Sequence, residues 1–163
     1  TALPIYLTFT GSGSGIPYAN MYIYTLASGG AGSPVITVSA TDTWYQIGTG
    51  VSGGLTNLFT FQNNRELKAL KAGIYRIVWS ISPAVNAANQ EIEGTVMVNG
   101  TANTSLAGMA ELANSNRNVP VTGSGIISLA VNDLVSLAVL NHTATNNITI
   151  DHLTLSISMV GGN

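Results

Sequence analysis

His142 and His152 are the only imidazoles in the chain, and Asp151 stands beside the second. Imidazole with carboxylate is the usual beginning of a metal site or a general acid–base pair. A metal needs three or four ligands that converge. On a strand, Asp151 and His152 point to opposite faces. They meet His142 only if their strands pair, and no spacing in the sequence demands it, so no metal is expected. Gly50-Val51-Ser52-Gly53-Gly54 matches G-x-S-x-G. That pattern makes a nucleophile elbow only between a strand and a helix. Here Leu55 to Thr60 follows, which reads as strand, and Gly/Ser-rich chains produce the match by composition. Glu91, Glu93, Glu111, Asp133 and Asp151 could supply the paired carboxylates of glycoside hydrolysis. Glu91 and Glu93, two apart on one strand face, more simply form a solvated face or pair with Arg76 or Arg117 across a sheet or a subunit contact. Gly11 to Gly15 lacks the lysine of a phosphate loop. Four N-x-S/T triplets, at Asn99, Asn103, Asn141 and Asn147, follow from the abundance of Asn, Ser and Thr. No catalytic residue, metal or cofactor is expected.

The elements that must position these residues are strands. Tyr75, Ile77, Trp79 and Ile81 alternate with Arg76, Val78 and Ser80, and Leu153, Leu155, Ile157 and Met159 alternate with Thr154, Ser156 and Ser158. Runs around Ile92–Val98, Ile127–Val131 and Val135–Val139 behave the same way. Period two places alternate side chains on opposite sheet faces, and β-branched and aromatic residues suit strands. The pattern predicts strands at 3–9, 18–26, 35–39, 43–48, 58–62, 74–84, 90–98, 103–112, 119–131, 134–141 and 148–160. Asn99-Gly100 signals a type I′ hairpin, and Val131-Asn132-Asp133-Leu134 a tight turn. Glu66 to Lys71 hints at a short helix, and Leu106 to Ala113 at either a helical turn or a strand. Strands so punctuated imply an all-β sandwich or barrel.

Length and composition set the limits. The chain has 163 residues, one domain's worth, with 45% hydrophobic and only 7% charged residues. Its polarity comes from Gly (18), Thr (18), Asn (16) and Ser (15). A net charge of −2 gives no basic face for nucleic acid or for a membrane surface. No run of about 18 apolar residues could span a bilayer, and Thr1 to Thr10 lacks the basic start of a secretory signal. No cysteine is present, which excludes disulfides, thiol nucleophiles and thiolate metal sites. A mean hydropathy of +0.33 with so few charges fits a monomer coated in Ser, Thr and Asn, or, the reading favoured, surface buried against other subunits. No charge occurs from Thr1 to Thr41. Thr1–Thr10 alternates Leu3, Ile5, Leu7 and Phe9 with polar or aromatic residues and is followed by Gly11-Ser12-Gly13-Ser14-Gly15. It reads as an arm that adds to a partner's sheet, or as a first strand of the same domain. Tyr18, Tyr22 and Tyr24 share one strand face opposite Met21 and Ile23. They fit packing within the core or along a trimer seam, or a sugar- or protein-binding patch.

Several segments together resemble the tumour-necrosis-factor/complement-q-like jelly roll. Ala72-Gly73-Ile74-Tyr75-Arg76-Ile77-Val78-Trp79-Ser80-Ile81-Ser82 is similar to a signature strand of that family. Met97-Val98-Asn99-Gly100 is similar to the end of its next strand, and Val121 to Leu137 to a following pair, with Asn132 where glycine is usual. Leu153 to Gly162 resembles the last strand. The front part, Pro17 to Phe61, is similar to a version common in bacteriophage proteins. The resemblance implies an antiparallel β-sandwich jelly roll, trimeric about a three-fold axis, with no shared catalytic site. The expected organisation is an arm and linker at 1–16 and a jelly-roll domain at 17–163. The expected function is that of a non-enzymatic virion structural protein, a homotrimeric capsid decoration or head-fibre protein on the capsid surface. Leu3, Ile5, Leu7 and Phe9 would attach it to the major capsid protein or another virion protein. Tyr18, Tyr22, Tyr24, Tyr75 and Trp79 are candidate trimer contacts. The alternative is a receptor- or glycan-binding head of a phage tail or cell-surface adhesion protein, using Tyr18, Tyr22, Tyr24 and the Asn-rich loops at 86–89, 114–118 and 141–147.

Overall fold

A computed structural model describes residues 15–25, 33–48 and 50–162. The arm residues Leu3, Ile5, Leu7 and Phe9 lie outside the described residues. Two antiparallel sheets face each other. The first is ordered β10 (Val121–Leu129), β7 (Gly73–Val85), β12 (Ile148–Gly161), β1 (Tyr18–Tyr24), β4 (Ser52–Asn57), and the two-residue β2 (Val35–Ile36) pairs the start of β12. The second is ordered β5 (Phe59–Gln62), β6 (Glu66–Ala69), β11 (Leu134–Asn141), β8 (Gln90–Val98), β9 (Thr101–Leu112), with β3 (Tyr45–Gln46) paired to β11.

The core is the set of inward positions of both sheets. Met21, Tyr75, Ile77, Trp79, Ile81, Leu155 and Ile157 come from the first sheet, and Leu67, Ile92, Val96, Leu137 and Val139 from the second. Burying a side chain of this size contributes about 1.5–3 kcal/mol. Tyr75 and Trp79 are therefore corrected as trimer contacts. They are 0% and 1% exposed within the single chain, because their phase of the alternation faces inward. Phe59 meets Tyr75 edge-on at 5.4 Å, and Tyr75 Oη donates to the Lys71 carbonyl.

Three local devices shape the frame. Asn99 (φ 52°) and Gly100 (φ 77°) both adopt the left-handed conformation between paired Val98 and Thr101, as a type I′ turn requires. Asn132 has φ 75°, so the expected tight turn forms with asparagine supplying the positive angle. In β12 the register shifts between Ile150 and His152, so Asp151 is the extra residue of a bulge. The bulge turns Asp151 inward. Its carboxylate accepts from Ser33 Oγ at 2.8 Å and Asn118 Nδ2 at 2.7 Å.

The expected helix at Glu66–Lys71 is instead β6, paired to β5 and β11. The helix-favouring residues Glu66, Leu67, Lys68 and Ala69 alternate in burial, and tertiary pairing overrides their local preference. Leu106 lies in β9, which is a strand throughout, although it carries a large bulge there. Gly94 and Val96 of β8 pair with Gly108 and Asn103 of β9, so four residues of β9 oppose only Thr95. The bulge carries Leu106 into the core and its carbonyl to the Trp79 indole N–H at 3.0 Å.

Candidate functional site

Two surfaces concentrate what chemistry the molecule has. The first is the outer face of the β10-β7-β12-β1 sheet. Cross-strand rows run Tyr18, Ser158, Arg76, Ile126; then Asn20, Ser156, Val78, Ser124; then Tyr22, Thr154, Ser80, Thr122. Of these twelve positions only Arg76 is charged. Tyr18 is 44% exposed, Val78 45% and Ile126 65%. Tyr24 continues the tyrosine line and meets His152 edge-on at 5.3 Å. A hollow of about 450 Å³ opens on this face between Val78, Ser80, Thr122, Ser124 and Thr154, with Gly123 in its floor. The phase of β1 explains the tyrosines: Ala19, Met21 and Ile23 take the core, and Tyr18, Tyr22 and Tyr24 are left outside.

The second surface is acidic. Glu91 and Glu93 on β8, Ala107, Gly108 and Met109 on β9, and His142 after β11 line a groove of about 500 Å³. Glu111 pairs with Glu91 across the strands. His142 Nδ1 lies 2.5 Å from Asp42 Oδ1, and its Nε2 lies 2.9 Å from Glu93 Oε2. Partial burial pulls the imidazole pKa down, but the hydrogen bonds and charges of Asp42 and Glu93 outweigh it and leave it raised. Asp42 sits in a turn with φ 54°, its N–H donating to the Asn141 carbonyl at 3.1 Å. The same turn is held by Tyr45, whose Oη accepts the Ser39 N–H at 2.9 Å and the Ala40 N–H at 2.8 Å.

The charge distribution is lopsided. Glu66, Lys68, Glu91, Glu93 and Glu111 all belong to the second sheet, and the first sheet's outer rows carry Arg76 alone.

The remaining expectations divide. Within the chain, neither Glu91 nor Glu93 pairs with Arg76 or Arg117. Arg76 is on the other sheet, and Glu93 meets His142 instead. His152 and Asp151 do not join His142, and among the described residues no group of three or more His, Asp or Glu side chains is placed to hold a metal. Ser52 and Gly53 lie in β4, followed by strand rather than helix, so the nucleophile-elbow geometry is absent. Sequence reasoning missed the grouping of Asp42, Glu93 and His142. No spacing signals it, because the pairing of β11 with β8 on one side and with β3 on the other brings the residues together.

The sequence matches no protein-family model and no curated protein. Solved structures share the fold. The Eiger TNF of S. frugiperda superposes with a TM-score of 0.61 at 10% identity, over 90% of this chain and 95% of that one. Murine APRIL at pH 5.0 gives 0.57 at 10% identity, over 88% and 99%. The globular domain of a zebrafish complement 1qA protein gives 0.57 at 10% identity, over 90% and 99%. The chain thus has a TNF-like jelly-roll fold.

Proposed function

We propose that this chain is a non-enzymatic virion structural protein. It forms a homotrimer and decorates a capsid or builds a head fibre, attached through Thr1–Thr10 to the major capsid protein or another virion protein. The observation that carries self-association is the first sheet's outer face, three rows deep with one charge. Burying it on a second copy removes tyrosine, valine and isoleucine surface from water, and Arg76 is the only charge among these rows that it desolvates. The TNF-like fold supports a non-catalytic role, and the sequence resemblance of the front part supports the virion setting.

The exposed tyrosines of β1 favour a second reading, a receptor- or glycan-binding head. The readings divide on whether that face is covered in the assembly. Light scattering after size exclusion is expected to give about three times 16.8 kDa. Val78→Asp on the same face is expected to give a folded monomer, because an unpaired buried charge costs several kcal/mol per site. A monomeric parent protein would refute the homotrimer. Deleting Thr1–Thr10 is expected to abolish co-sedimentation with particles and leave the oligomer intact. A deleted protein that still binds particles would refute the arm's role, and glycan-array binding by the trimer would favour the second reading.

A further inference from the structure

We propose that His142 is a proton-operated latch that ties the Asp42 turn to β8 and releases it when the imidazole loses its charge. The argument is one of donor and acceptor counting. Each ring nitrogen faces a carboxylate oxygen, Asp42 Oδ1 at 2.5 Å and Glu93 Oε2 at 2.9 Å. Ionised carboxylates only accept hydrogen bonds, and a neutral imidazole has a single N–H. Both contacts are satisfied together only by the imidazolium. Loss of the proton turns one ring nitrogen into a lone pair aimed at an anion, so one contact must open.

The geometry says which one. Glu93 is 22% exposed and is held in the middle of β8, in register with Met109 and Leu140. Asp42 is 66% exposed and belongs to a turn tied to the strand beside it by one backbone hydrogen bond, to Asn141, and braced on its other side by the Tyr45 hydroxyl at Ser39 and Ala40. The turn is therefore the part that moves. The neighbouring titratable groups reinforce the effect. Glu91 of β8 lines the same groove, Glu111 of β9 stands opposite it, and β11 ends on the uncharged Asn141. No lysine or arginine lines the groove, so His142 is the cation there that bridges two carboxylates, Asp42 and Glu93, and its charge is removable near neutral pH. This inference does not depend on the virion reading.

The experiment is an NMR pH titration of the full chain, following the His142 ring and the amide exchange of residues 40–44. The His142 midpoint is expected above that of free histidine. It should move down in Asp42→Asn and in Glu93→Gln. Amide protection of the turn, corrected for the intrinsic pH dependence of exchange, should fall through the same midpoint. In His142→Asn the turn's corrected exchange should show no step and stay at the parent protein's high-pH level. A midpoint at or below that of free histidine overturns the latch. So does a midpoint unmoved in both carboxylate variants, or a turn whose corrected exchange ignores the transition. The wild-type measurements stand by themselves if a variant fails to fold.

Discussion

Gly108→Ala tests whether the β9 bulge closes the sandwich. A Cβ built on Gly108 would stand 2.0 Å from the Thr122 carbonyl oxygen and 3.0 Å from its carbon. Ordinary contact begins near 3.4 Å, so β9 and β10 must part by more than 1 Å, and both obstacles are backbone. Parting them loosens Leu106, which is 3% exposed, and stretches the 3.0 Å hydrogen bond from Trp79 Nε1 to the Leu106 carbonyl. Loss of most of the leucine burial is about 2 kcal/mol, and the hydrogen bond adds about 1 kcal/mol. The expected destabilisation is thus about 3 kcal/mol, a fall in Tm of roughly 6–12 °C for a chain this long. Gly100→Ala is the control. Nothing lies within 4 Å of its Cβ, but its φ of +77° strains any side chain, at about 1–2 kcal/mol. Thermal melts followed by near-ultraviolet circular dichroism should be compared at one protein concentration, because association makes Tm concentration-dependent. Gly108→Ala melting at or above Gly100→Ala would refute the close-packed seam.

Other consequences can be measured in the same way. Trp79→Phe keeps a core ring but leaves the Leu106 carbonyl without its donor, and should cost about 1–3 kcal/mol in chemical denaturation. Asn99→Gly keeps the left-handed turn but loses the bonds to Asp133 Oδ1 and the Leu134 N–H, whereas Asn99→Ala loses both turn conformation and bonds; the alanine variant should be the less stable by denaturant midpoint. The pH–stability curve should fall on both sides of a mildly acidic maximum. Burial pushes the Glu66 pKa up, but hydrogen bonds from Asn63 and Gln46 and the charge of Arg65 leave it lowered. Its contribution is present above the ordinary carboxylate range and lost as pH falls through the depressed value. The raised His142 pKa does the reverse: its contribution is present below the ordinary imidazole range and lost as pH rises through the folded value. Glu66→Gln should flatten the acid limb and His142→Asn the neutral one in melts across pH.

Much of the sandwich is legible because its long strands alternate cleanly. β7, β8, β11 and β12 fall where period two puts them, and Asn99-Gly100 announces its turn. Alternation separates two faces but does not say which is inside. Tyr75 and Trp79 illustrate the gap: their shared face is evident, but its burial within the protomer is not. β6 was hidden by helix-favouring residues, and β4 by glycines that accommodate Phe61 and Asn20. The bracketed histidine is illegible for a different reason. Its partners lie 100 and 49 residues away, joined by strand pairing that no local pattern encodes.

The closure of the sandwich bears on solubility. Each sheet ends where the other begins: β10 lies against the β9 bulge, and β4 passes directly into β5 through Leu58 at φ 56°. The additional strands, β2 and β3, are two residues long. A bare strand edge is a template for open-ended stacking, which proteins commonly block with lysine or glutamate gatekeepers. This chain has few charges to spend on that task. Folding its borders against one another lets it dispense with them, and leaves a sheet face as the surface through which the proposed homotrimer would close as a countable particle instead of a fibre.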